Sequence, residues 1–222
     1  MIPQYLEGVV ATYSYGGELG AMREYFGPVI DLVDQYWHES EKLTYNRKTL
    51  DQYGLSSYYE MLRILSLGYL LDIPNEEFEK LSRAIERDNV KDWIYSFLIS
   101  SKLDNRKMST EESYSYIYGV PEFYRSLREA ILEEDEAHSA ELVQKFVETE
   151  WYENFKKEGG GRVEIHNHPE DIYYGYWCFE AAAVVKIKGL DDSSFRDHPY
   201  YPADLVHGME KPPKKKKGFF GW

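Results

Sequence analysis

The chain has 222 residues, 43% hydrophobic and 29% charged, an ordinary globular balance with room for one good core or two small domains. It carries 39 acidic against 26 basic residues, a net charge of −13, and five of the bases lie after residue 210, so the preceding body sets 39 acids against 21 bases. Such a body repels nucleic-acid phosphates, favours basic partners and speeds their docking, and a single cysteine, Cys178, excludes an internal disulfide.

From Gly17 to His38, apolar residues Leu19, Met22, Phe26, Val29, Ile30, Val33 and Trp37 recur at three- and four-residue steps and predict a helix. Ser56 is the expected cap of a second helix carrying Met61, Leu62, Leu65, Leu67 and Leu70, which Asp72 and Pro74 end. Asn75 opens a third, with Glu76 and Glu77 in its first turn and Phe78, Leu81 and Ile85 on one face. Asp88 to Lys102 predicts a short helix with Trp93, Phe97 and Leu98. The polar stretch Leu103–Ser109 suggests a boundary, and Ser109 with Glu112 fits a capping box. Pro121 starts a helix with Phe123, Leu127 and Ile131; the run Glu133–Glu136 is a bend or exposed turn; helical spacing resumes at Ala137, Ala140, Val143, Val147 and Trp151. Gly159–Gly161 break the pattern, residues 162–165 suggest one extended segment, and a last long helix is expected from near Pro169 to Lys188, with Gly189 closing it. Strand signals are otherwise scarce. The expected fold is all-α, layered antiparallel helix hairpins with little or no sheet. Three regions are expected: residues 1–105, residues 106–208, and a lysine-rich tail over 209–222, read as a flexible tail.

Chemistry finds little support. His166 and His168 lack the Cys pair or HExxH context of a metal site and read as a loop and cap. No GxSxG, Walker loop or GxGxxG occurs, and Cys178 lies in an apolar run unsuited to a thiolate nucleophile. The N-terminal MIPQYLEGVV lacks a basic start and a long apolar stretch, and no segment approaches the ~20 apolar residues of a membrane span, so a cytoplasmic protein is expected. In Gly175–Pro202, Glu180 sits in an apolar run and needs a partner if buried; Arg196, returning after Gly189, is the expected one. Asp191 and Ser193 can bond turn amides, while Pro199 and Pro202 stiffen the exit and Tyr200 and Tyr201 can pack back. The stretch reads as a folded-back corner in preference to a catalytic cluster.

The run from Tyr173 to Val206 also resembles the C-terminal domain of the PoNi family, immunity proteins for PoNe toxins. The pattern GYWxFEAAA, a D-D-S turn and RxHPYYPxDL falls on Gly175–Ala183, Asp191–Ser193 and Arg196–Leu205. The amphipathic helix at 17–38 and MLRILSLGYLL at 61–71 resemble the family's N-terminal domain more loosely. The resemblance implies an all-helical antitoxin without catalysis, cofactor or metal. It would bind a cognate DNase effector delivered between bacteria, with type VI secretion as the expected route, and touch neither nucleic acid nor membrane itself. Trp177, Glu180, Asp191, Arg196, His198, Pro199 and Tyr200 then read as a structural signature. The expected partner-binding residues are Glu133, Glu134, Asp135, Glu136 and Glu141, each of which also fits a plain solvated face. Two rival readings are a metal-dependent hydrolase using His166, His168, Glu180, Asp197 and His198, and a helical adaptor for another basic protein.

Overall fold

The computed structural model describes residues 2–37, 41–114, 120–158 and 175–208. Residues 162–168, the glycine triplet and the lysine-rich tail therefore lie outside the described residues, as do the expectations placed on them. Helix α1 (Ile2–Ser14) and α2 (Leu19–Tyr36) are joined by a four-residue loop and pack along each other. Gly8 permits that approach: a Cβ there would stand 2.8 Å from the Tyr25 ring. A hairpin of β1 (Lys42–Tyr45) and β2 (Lys48–Tyr53) follows. Its turn residues Asn46 and Arg47 both have positive φ, 49° and 64°, as a two-residue turn matched to strand twist requires.

Next come α3 (Leu55–Leu70), α4 (Asn75–Asp88) and α5 (Trp93–Lys102), then the short α6 (Val120–Phe123) and α7 (Arg125–Leu132). Helix α8 (Glu136–Lys145) continues through a π turn over Phe146–Glu150 into α9 (Trp151–Glu158). Helices α10 (Phe179–Lys188) and α11 (Ala203–His207) complete the described chain. The architecture is mostly all-α with one small sheet. A single hydrophobic core runs from Leu6 on α1 to Leu205 on α11, and α10 packs mainly on α3.

Several boundaries differ from expectation, each for a local reason. Helix α1 and the hairpin were not expected. Asp88 ends α4, and the following helix starts at Trp93, because Asp92 caps it by accepting the Tyr95 amide at 2.9 Å. Gly54, not Ser56, stands at the α3 N-cap. Ser109 and Glu112 form no capping box: Ser109 accepts the Glu111 amide and Glu112 the Tyr114 amide in irregular chain. The last long helix begins at Phe179, since residues 175–178 are irregular, with the Cys178 amide donating to the Tyr200 carbonyl at 2.8 Å. Gly189 closes α10 as expected, in the left-handed region at φ 66°.

Cations from distant elements cap helix C-termini, whose carbonyls lack helical donors. Lys186 on α10 reaches the Leu70 carbonyl at the end of α3 at 3.3 Å, and Arg23 on α2 reaches the adjacent Leu71 carbonyl at 2.7 Å. Lys188 reaches the Ala130, Ile131 and Glu133 carbonyls at the end of α7, at 2.6, 3.3 and 2.7 Å. Burial lowers the pKa of both lysines.

Candidate functional site

Glu133, Glu134, Asp135 and Glu136 lie at the corner between α7 and α8, Glu141 lies within α8, and several hydrogen bonds tie the corner down. The Asp135 carboxylate accepts the His138 amide at 2.7 Å and caps α8. The buried Ser139 hydroxyl donates to the Ala130 carbonyl at 2.7 Å, tying α8 back to α7. The Glu133 carboxylate accepts the Asp135 amide at 2.9 Å, and Lys188 holds the Glu133 carbonyl from below. Glu134, Asp135, Glu136 and Glu141 are exposed and Glu133 is half-buried; His138 lies 3.3 Å from Glu141. The local sequence explains the corner: Leu127 and Ile131 bury one face of α7, Val143 buries α8, and the carboxylates between them face water.

The signature residues divide into two places. Glu180, 2% exposed, accepts the Trp151 indole N–H at 2.6 Å. Burial lifts its pKa to about 7, against the opposing effects of that indole and of Arg63. The π turn supplies the geometry: the Trp151 amide bonds the Phe146 carbonyl five residues back, which re-phases the helix just before the indole that meets Glu180. The expected Glu180–Arg196 pair does not form. Arg196 instead bonds Asp192 within its own turn, at 2.8 Å from Nε and 2.5 Å from Nη2. Four residues of sequence separation suffice there, whereas reaching Glu180 would need the exposed guanidinium to enter the core.

Asp192 is the second centre. Fully buried, it also accepts the Tyr201 hydroxyl at 3.0 Å and stands 2.7 Å from His207 Nε2. Burial alone would raise its pKa, but the His207, Arg196 and Tyr201 bonds together hold it below the usual carboxylate value. Asp191 is exposed and accepts the Ser193 amide at 3.0 Å. Trp177 donates from its indole to Ser14 on α1 at 2.8 Å and meets the Tyr13 ring edge-on at 4.8 Å. Tyr200 stacks on Tyr152 at 4.8 Å and meets the His198 ring at 5.3 Å; Pro199 lies exposed in the turn between these two residues. The signature is thus a folded-back corner held by two buried carboxylates, each with its own partners.

A third buried network has no counterpart in the sequence reading. Arg128 on α7 bonds Asp92 and, at 2.5 Å, Glu112; its guanidinium also lies 5.2 Å from the Trp93 ring. Tyr58 donates to Asp92 at 3.1 Å and stacks on Tyr95 at 5.0 Å. The Tyr114 hydroxyl accepts the Tyr53 amide at 2.9 Å, joining the hairpin to the same cluster. A charged residue in an amphipathic pattern resembles a surface residue, so only the tyrosine density around it hinted at burial.

Among the described residues no group of three or more His, Cys, Asp or Glu is placed to hold a metal ion, and no helix is long and apolar enough to cross a membrane. Asp197 is exposed and His198 half-buried, while Glu180 is committed to Trp151. A cleft lined by Tyr59, Phe123, Tyr124, Phe146, Trp151, Asn154 and Phe155 has a cavity volume of about 10 Å³, room for roughly one water molecule and far too small for a ligand.

The family model for the N-terminal part of PoNe immunity proteins (PoNi) matches residues 1–83, and that for the C-terminal part matches residues 90–205. The chain belongs to the PoNi family. No curated protein and no solved structure matches it. Membership identifies an immunity protein against PoNe nuclease effectors. In this PoNi chain the Arg128 network crosses the join between the two matched parts: Tyr53 and Tyr58 come from the first, Asp92, Glu112, Tyr114 and Arg128 from the second.

Proposed function

We propose that the protein neutralises one cognate PoNe-type DNase by stoichiometric binding in the cytoplasm of the producing cell and its kin, with no chemistry of its own. The toxin arrives by interbacterial delivery, with type VI secretion as the route. The observation that supports this reading is the α7–α8 corner, where carboxylates stand exposed on a capped, hydrogen-bonded turn. A DNase presents a basic surface to phosphates, and a fixed acidic corner on a strongly acidic body attracts that surface over a distance of about one Debye length. Steering of this kind acts on the association rate.

The test is co-expression with the PoNe effector encoded beside the gene, scored for survival and for a co-purifying complex. Survival with a complex in equal proportions is the expected result. Protection by far less immunity protein than toxin would refute stoichiometric binding and favour an enzyme acting on the toxin.

A further inference from the structure

The α1–α2 hairpin carries four of the exposed tyrosines among the described residues. Tyr5, Tyr15 and Tyr25 are 40, 75 and 48% exposed, and Tyr36 is 55% exposed. Their placement follows from the packing of the hairpin. Tyr25 lies across α1 at Gly8, where the missing side chain lets the ring settle at the seam with half its surface outward. Tyr5 is one turn from Gly8 on α1. Glu18 and Tyr36 lie seven residues before and eleven residues after Tyr25, separations that return to the same face of a helix. Tyr15 stands in the loop at the Glu18 end.

The other flank of α2 is occupied by α4: Lys80 pairs Asp31 at 2.7 Å, Arg83 pairs Asp34 at 3.3 Å, and Arg87 caps the helix end at the Trp37 carbonyl. On the opposite flank Tyr5, Tyr15 and Tyr25 keep 40, 75 and 48% of their surface in solvent. Its charge has one sign. Residues 2–37 hold five carboxylates and one cation, Arg23, whose Nε is committed to the Leu71 carbonyl. Asp31 and Asp34 are paired to α4, and of the other three, Glu7, Glu18 and Glu24, it is Glu18 whose spacing aligns it with Tyr25 and Tyr36.

We propose that this tyrosine ridge is the anchoring surface for the Arg- and Lys-rich face of the PoNe nuclease. The inference rests on the reading of the protein as a binder of that nuclease. Tyrosine rings accept guanidinium groups by stacking and cation–π contact, and tyrosines with few rotatable bonds lose little entropy on binding. Glu18 adds charge complementarity to the same cations. The division of labour is kinetic: the acidic corner governs approach and the ridge governs residence.

The experiment measures binding of the catalytically inactive nuclease domain of the neighbouring PoNe effector to immobilised full-length protein by surface plasmon resonance. Wild type is compared with Tyr15→Ala, with Tyr5→Ala/Tyr15→Ala, and with Glu18→Lys, each checked for an unchanged thermal unfolding curve. Tyr15 is so exposed that its removal leaves the fold intact. The expected result is dissociation faster by about 30-fold in the double variant, the size of a hot-spot loss, with association little changed. Wild-type binding with unaltered dissociation in every variant overturns the ridge and leaves the functional reading standing. Failure of the wild type to bind overturns both. A tyrosine-dependent dimer of the protein alone, seen by sedimentation, also overturns the proposal, because a second copy then covers the ridge.

Discussion

Replacing Glu180 by glutamine converts a buried ionisable group into a neutral isostere that still accepts the Trp151 indole N–H. In the folded protein the Glu180 carboxyl titrates at about 7, raised by burial from 4.5. A raised folded pKa means that the native state binds more protons than the unfolded chain between those two values. Stability therefore falls as pH rises through this window. Each pH unit of separation corresponds to about 1.4 kcal/mol, so about 3 kcal/mol is lost between pH 4.5 and 7 through this group alone. The glutamine variant has no such loss. Urea unfolding of both proteins, followed by circular dichroism at pH 5 and pH 7.5, gives the difference in stability at each pH, and other titrating groups cancel in the comparison. The variant should gain about 2–3 kcal/mol relative to wild type from the lower pH to the higher. Parallel pH dependences in the two proteins would show that Glu180 is ionised at little cost and refute the reasoning.

Charge reversal of Glu133, Glu134, Asp135 and Glu136 to lysine should slow association with the inactive nuclease and flatten its salt dependence, measured by stopped flow across a salt series; unchanged kinetics would exclude the corner as a steering element. Arg128→Ala leaves the buried Asp92 and the half-buried Glu112 without their cation and should destabilise by about 3–5 kcal/mol in denaturant unfolding. Asp192→Ala, which strips Arg196, Tyr201 and His207 of a shared acceptor, should lower stability by about 2–4 kcal/mol at neutral pH. Because the Asp192 pKa is depressed on folding, its contribution is present above the ordinary carboxylate pKa and disappears in acid, so wild type and variant should converge as pH falls through the folded value.

The helices that carry the core were legible because their apolar residues recur with the helical period. Met22, Phe26, Val29, Ile30 and Val33 are buried together, and so are Phe78, Leu81 and Ile85. Helix α1 carries the same period in Leu6, Val9, Val10 and Tyr13, although no helix is expected there in the sequence analysis. The hairpin is weaker: β1 alternates over only four residues, β2 carries polar residues on both faces, and the positive φ at Asn46 and Arg47 explains how the chain turns between them. Side-chain pairing was the least legible level. Glu180 needed a partner, as burial physics requires, but the choice between Arg196 and Trp151 depends on a π turn that leaves no signature in composition. The acidic run was visible as a bend. The bonds that tie it down were not, because Ser139 and Lys188 act on it from separate helices.

Lys186 and Lys188 stand two residues apart on α10, yet each ends a helix from a different part of the chain, α3 from the region of the first family match and α7 from that of the second. Shuffling between members of such a family is constrained accordingly. A recombinant carrying one protein's first 83 residues and another's remainder must preserve more than apolar shape. It must also place the Lys186 ammonium group of the second part over the Leu70 carbonyl that ends α3 in the first. Diversification toward new toxins should therefore proceed by substitution on exposed faces, with the halves inherited together.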